Sequence, residues 1–179
     1  RLTMTKLLAR VAAALATLVV AACTTAPPPP VTPELTFANL APIRLAVSQV
    51  DVIDAYRPPL EAPNVEHEMP LAPAAAARRW ARERLVAQGD PSHRAEFIVS
   101  DAPVVEVPLE TRGGVTGIFT RDQEARYEAR LAVRLRIFDN TGREVGSVTA
   151  RAERTRTVPE GITLNERDTL WFEMTEALM

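Results

Sequence analysis

The residues able to do chemistry are few, and their spacing narrows what they can do. Cys23 is the only cysteine, so an internal disulfide and a multi-cysteine metal site are both ruled out. The triplet Glu66-His67-Glu68 has the residue types of a metal site. Consecutive side chains of an extended segment point to opposite faces, however, and no second histidine adjoins it, so no metal is expected. Gly113-Gly114 with Gly117 has the composition of a phosphate loop, yet no lysine follows and no helix start is expected there, which argues against nucleotide. A Gly-x-Ser-x-Gly elbow is absent, and Asp51 and Asp54 fall at a strand end, where such acids usually serve turns. This inventory points away from an enzyme, and no cofactor is expected.

What remains is Cys23 and the residues before it. Met4 to Arg10 is a short positive region, and Val11 to Ala22 is an apolar stretch of the length a signal peptide needs. It is too short for a comfortable transmembrane helix. Arg1 does not initiate translation, so Met4 is the expected natural start.

The run Val20-Ala21-Ala22-Cys23 resembles the bacterial lipobox. That resemblance implies removal of residues 1–22, diacylglycerol on the Cys23 sulfur and an acyl group on its nitrogen. Membrane lipid is then the first partner. Several buried acyl chains, at about 0.8 kcal/mol per CH₂, make such an anchor effectively stable. The residue after the cysteine is Thr24 and not aspartate, which by the sorting rule of lipoproteins implies the outer membrane, facing the periplasm; the inner membrane is the alternative. An ordinary cleaved signal with a cysteine at its junction, or an uncleaved core helix, are the competing readings.

Charge bounds the partners. The 179 residues carry 21 basic and 23 acidic side chains, and removing residues 1–22 deletes Arg1, Lys6 and Arg10 and no acid, leaving a formal charge of −5. That is no nucleic-acid binder. Lys6 is the only lysine, so every later positive charge is an arginine, which suits bidentate anion recognition or reflects a plain arginine bias.

Beyond the anchor, Thr24 to Pro42 holds Pro27 to Pro30 and Pro33 and reads as a semi-rigid polyproline II spacer. The expected organisation is a signal peptide over 1–22, lipidated cysteine and linker over 23–42, and one domain over 43–179. Alternation over Ile43 to Val47 slips near Ser48-Gln49 and resumes at Val50 to Val52, which reads as a strand with a bulge. Tyr56 to Pro73 is proline-rich and aperiodic, a connection expected to lie over the domain edge. Pro73 suits a first helical turn; Ala77, Trp80, Ala81 and Leu85 share one face, and Gly89 is the expected stop. Phe97 to Val107 is extended, with Pro103 and Pro108 marking an interrupted or edge strand. Tyr127 to Ile137 alternates cleanly, Asp139 to Gly142 is a hairpin turn, and Gly146 to Val158 is the returning strand. Thr163-Leu164-Asn165-Glu166 is a capping box before a helix with Leu170, Trp171, Met174, Ala177 and Leu178 on one stripe. That helix reaches the last residue with no stop signal, so the chain is expected to be a truncated form of a longer one.

The expected fold is α+β, a two-layer sandwich. A four-stranded, mainly antiparallel sheet would carry two helices on one face, in the order strand-helix-strand-strand-strand-helix. At that level the domain resembles the lipopolysaccharide-assembly lipoprotein and the auxiliary lipoproteins of lipid-transporting ABC systems, and uncharacterised lipoproteins of alphaproteobacteria. Beyond Cys23 the resemblance carries over no residue.

Two features are candidates for binding. The loop from Glu110 to Arg121 sets apolar Val115, Ile118 and Phe119 among three glycines, flanked by Arg112 and Arg121. It reads as a tip that docks into an envelope protein or touches lipid, or else as residues that fold back on the core. The row Arg126, Arg130, Arg134, Arg136 and Arg151 matches phosphate or acidic glycan, or is neutralised by Glu128 and Glu153. The reading is a non-enzymatic accessory or assembly subunit of the Gram-negative envelope. A lipid or glycan carrier, which needs an apolar groove or an uncompensated arginine cluster, is the alternative, and a hydrolase is less favoured.

Overall fold

The computed structural model describes residues 34–109, 123–159 and 161–179. Its alternating and helical stretches become seven strands and two helices, a mixed α+β fold with a mostly antiparallel sheet. In chain order these are β1 (Ile43–Leu45), β2 (Val50–Asp54), α1 (Pro73–Arg84), β3 (Leu85–Ala87), β4 (His93–Asp101), β5 (Val104–Pro108), β6 (Gln123–Asp139), β7 (Glu144–Pro159) and α2 (Leu164–Leu178). All belong to the compact unit Thr32–Met179.

β6 organises the main sheet. One edge pairs antiparallel with β7 along almost its whole length, while the other pairs with β4 over its second half and with β5 over its first. β2 adds to β4 in parallel. This five-stranded sheet replaces the four strands expected. The difference has local causes. The alternation slip at Ser48-Gln49 is not a bulge but a change of sheet: β1 pairs in parallel with β3, and Ser48 N–H then bonds to His93 C=O as β2 begins. The extended stretch 97–107 breaks between Asp101 and Val104, at Pro103, into β4 and β5.

α1 starts on Pro73 as expected but ends at Arg84, ahead of Gly89. Its buried Leu85 turns into β3, whose pairing with β1 takes the backbone out of the helix. α2 opens with the expected capping box: Thr163 Oγ1 accepts from Glu166 N–H at 3.3 Å and Thr163 N–H donates to Glu166 Oε2 at 2.9 Å. Its buried face is Trp171, Phe172, Met174, Thr175 and Leu178; Ala177, expected on the stripe, is exposed.

The core joins both helices to one set of alternate sheet residues, among them Phe97, Val99, Tyr127 and Leu131. Trp171 is fully buried and meets Tyr127 edge-on, with ring centroids 5.5 Å apart. Burial of a large apolar side chain contributes about 2–3 kcal/mol, so this pair is a principal tie between α2 and β6. Trp80, on the expected apolar face of α1, is half-buried and packs on Phe97 at 5.7 Å.

Candidate functional site

Cys23 and the loop residues Arg112, Val115, Ile118, Phe119 and Arg121 lie outside the described residues. Three other places concentrate polar or exposed groups, and they differ in what they can do.

The first is the segment from Tyr56 to Pro73, which lies across the β5 edge as the sequence suggested. Val65 N–H donates to Val104 C=O and Glu106 N–H to Pro63 C=O, both at 2.9 Å. Glu66 turns inward, with 3% exposure, while His67 and Glu68 face out, so the triplet does not converge. The Glu66 carboxylate accepts from Tyr56 OH at 2.6 Å, Asn64 Nδ2 at 3.2 Å and Val104 N–H at 3.0 Å. Burial pulls its pKa up, but the bonds from Tyr56, Val104 and Asn64 outweigh that and hold it below the ordinary carboxylate value. Burial, then the bond to Glu66, pushes the Tyr56 phenol well above its usual value. An ionised acid bonded on both oxygens and a phenol held protonated do not exchange protons near neutral pH. The neighbouring hollow, about 210 Å³, also holds Asp54 bonded to Arg78. Asp54 therefore ties β2 to α1 and does not serve a turn with its side chain. The cluster is a clasp.

The second is the outer sheet face. Arg134 and Arg136 share Glu144, at 2.9 and 2.8 Å, and Arg126 meets Glu128 at 2.7 Å. Arg94 and Arg136 also stack on Phe138, 4.3 and 4.5 Å from its centroid. Hydrogen bonds from Arg136 and then Ser147 lower the Glu144 pKa. Three of the five arginines expected as an anion-binding row are thus neutralised locally, whereas Arg151 has no ion pair among the described residues.

The third was not foreseen. Where the helices leave the sheet uncovered, an open apolar groove of about 460 Å³ runs between Trp80 of α1, the end of α2 at Leu178 and the strands β6 and β7. Its floor is Leu131, Val133 and Leu135, and its outer wall includes Val148, which is 60% exposed. Arg151 touches the groove, but it alternates with Ala150 and Ala152, which puts its side chain on the opposite sheet face. The alternation of β6 and β7 marked these apolar positions; nothing local told which of them the helices would leave bare.

Neither a protein-family model nor a curated protein matches the chain. Among solved structures, rare lipoprotein B from Shewanella oneidensis is similar at 14% identity over 72% of this chain and 83% of its own, with a TM-score of 0.37. A minor lipoprotein from Acinetobacter baumannii is similar at 14% identity over 75% and 92%, with a TM-score of 0.30. At these scores the likeness carries no residue role and no activity to this chain. Among the described residues no helix is long and apolar enough to cross a membrane.

Proposed function

We propose that the chain is a lipid-anchored, non-enzymatic accessory subunit of the Gram-negative cell envelope, tethered at the outer membrane through Cys23. Its folded domain, read as a two-layer α+β sandwich, receives an apolar segment of an envelope protein in the groove beside Trp80. The observation that carries this reading is the groove itself: a sheet face with Val148 bare to solvent is a standing desolvation gain for whatever covers it. Among the described residues the one charged residue lining it is Arg151, whose side chain strand alternation turns to the opposite sheet face, which favours a protein segment over a charged lipid. The loop bearing Ile118 and Phe119 supplies a second contact. A carrier of neutral or acyl lipid is the second reading, favoured by the predominantly apolar walls.

A photo-crosslinking residue at Val148 in the full chain, in cells, separates the two. The accessory-subunit reading expects one discrete protein adduct that disappears with Cys23→Ser. Lipid adducts alone support the carrier, and no adduct of either kind overturns both.

A further inference from the structure

We propose that β7 pairs antiparallel with the β7 of a second copy of this chain, about a twofold axis at Ala152. β7 is bonded to β6 along one side, and among the described residues no strand lies on its other side. A long open edge is a template for another strand.

The register follows from which groups face outward. Arg130 N–H donates to Pro103 C=O at 3.0 Å, so even-numbered residues of β6 turn toward β5 and odd-numbered ones toward β7. Leu131 is paired with Ala152 and Val133 with Ala150, so even-numbered β7 residues bond to β6. The N–H and C=O groups of Ser147, Thr149, Arg151, Glu153 and Thr155 therefore point away from the sheet. Consistent with this, the Glu153 carbonyl is met by the guanidinium of its neighbour Arg154 at 2.8 Å. An antiparallel ladder sets outward residues opposite outward residues, so only odd-with-odd registers are open.

Charge selects among them. With the axis at Ala152, Arg151 lies opposite the partner's Glu153 and Glu153 opposite the partner's Arg151, while Thr149 meets the partner's Thr155. Opposite charges and Thr–Thr pairs across strands both stabilise. Moving the axis to Arg151 or to Glu153 sets like charges face to face. Arg151 and Glu153 are exposed and neither has an ion pair among the described residues, Arg151 facing Ala132 and Glu153 facing Arg130 across β6, so this arrangement supplies the ion pair each lacks. It brings the two apolar grooves onto one continuous sheet face, because Val148, Ala150 and Ala152 keep their side in both copies. The partner is thus a second copy, independent of what fills the groove.

The test uses the full lipidated chain, in membranes and in detergent. Opposed residues on the axis form a non-hydrogen-bonded pair with Cα atoms about 4.5 Å apart, within disulfide reach. Ala152→Cys is expected to give a disulfide-linked dimer and Arg154→Cys, which faces the partner's Ala150, is not. Arg151→Glu or Glu153→Arg should each weaken association about tenfold, since like charges then face each other twice. The double exchange Arg151→Glu with Glu153→Arg should restore it. Both positions are exposed and Arg151 faces Ala132 of β6, so Arg151→Glu leaves the fold intact, whereas Glu153→Arg faces Arg130 of β6 and its denaturant unfolding is compared with that of the parent chain. A chain that stays monomeric, a dimer indifferent to Arg151→Glu, or another protein trapped at position 152 would each overturn the proposal.

Discussion

Along β5 the chain closes its own sheet edge, with Pro63 to Glu66 lying over the strand and a buried carboxylate bonded to the Val104 amide. Along the sixteen residues of β7, no strand among the described residues covers the outward amides. Closing the first edge required burying a charge, which costs several kcal/mol unless hydrogen bonds compensate it, and Glu66 has them from three groups. Among the described residues nothing comparable protects the second. β7 carries no proline before Pro159 and no bulge between Ala125 and Ile137 of its partner, two devices that commonly blunt an edge. The molecule thus seals the β5 edge with a buried carboxylate, while the β7 edge, open among the described residues, is the one proposed to associate.

The comparison can be broken first at the clasp. Glu66→Ala leaves Tyr56 OH and Val104 N–H buried without their acceptor, at about 1–3 kcal/mol each, so a loss near 3 kcal/mol is expected in denaturant unfolding. A loss below about 1 kcal/mol would show that the carboxylate does not close the edge. Ala150→Pro should cost about 2 kcal/mol, because it removes an N–H bonded to β6. Tyr56→Phe should cost about 1 kcal/mol, leaving Asn64 and Val104 on the carboxylate. Thr149→Pro sharpens the contrast: its N–H points outward, so stability should change by less than about 0.5 kcal/mol while association through β7 is lost.

Acid should act on the closed edge through Glu66 and on the β6–β7 hairpin through Asp139 and Glu144. Glu66 is held below its ordinary pKa, so its contribution is present above the unfolded-state value and is lost as pH falls through the lowered one. Asp139, bonded by Thr141 and Arg143 in the hairpin turn and lowered to about 2, adds to the same acid-side loss. A Glu66→Gln variant should therefore show a flatter stability profile on the acid side in urea titrations at stepped pH. An unchanged slope would mean that the carboxylate is not ionised in the fold.

The sequence shows what neighbours decide. Thr163 and Glu166 cap α2 through contacts three residues apart, and the alternation from Tyr127 to Ile137 names the core side of β6 because one strand carries its own pattern. The Asp139 turn is local too, with Gly142 at φ +83° closing it. What escaped sequence reasoning depends on distant partners. Glu66 finds Val104 far along the chain, so an acid beside a histidine looked like a failed metal motif instead of a clasp. The slip at Ser48-Gln49 fits a bulge as well as a change of sheet until β3 is seen beside β1. The groove depends on where α1 and α2 stop covering the sheet, and α1 stops at Arg84 because of that same β1–β3 pairing.

Amide hydrogen exchange on the full chain, residue by residue and over a range of protein concentration, reads both edges at once. The account predicts that Val65 and Glu106 amides, bonded across the closed edge, are protected at every concentration, while those of Thr149, Arg151 and Glu153 exchange fast when dilute and slow as the second copy pairs. Fast exchange at Arg151 and Glu153 at every concentration would contradict it.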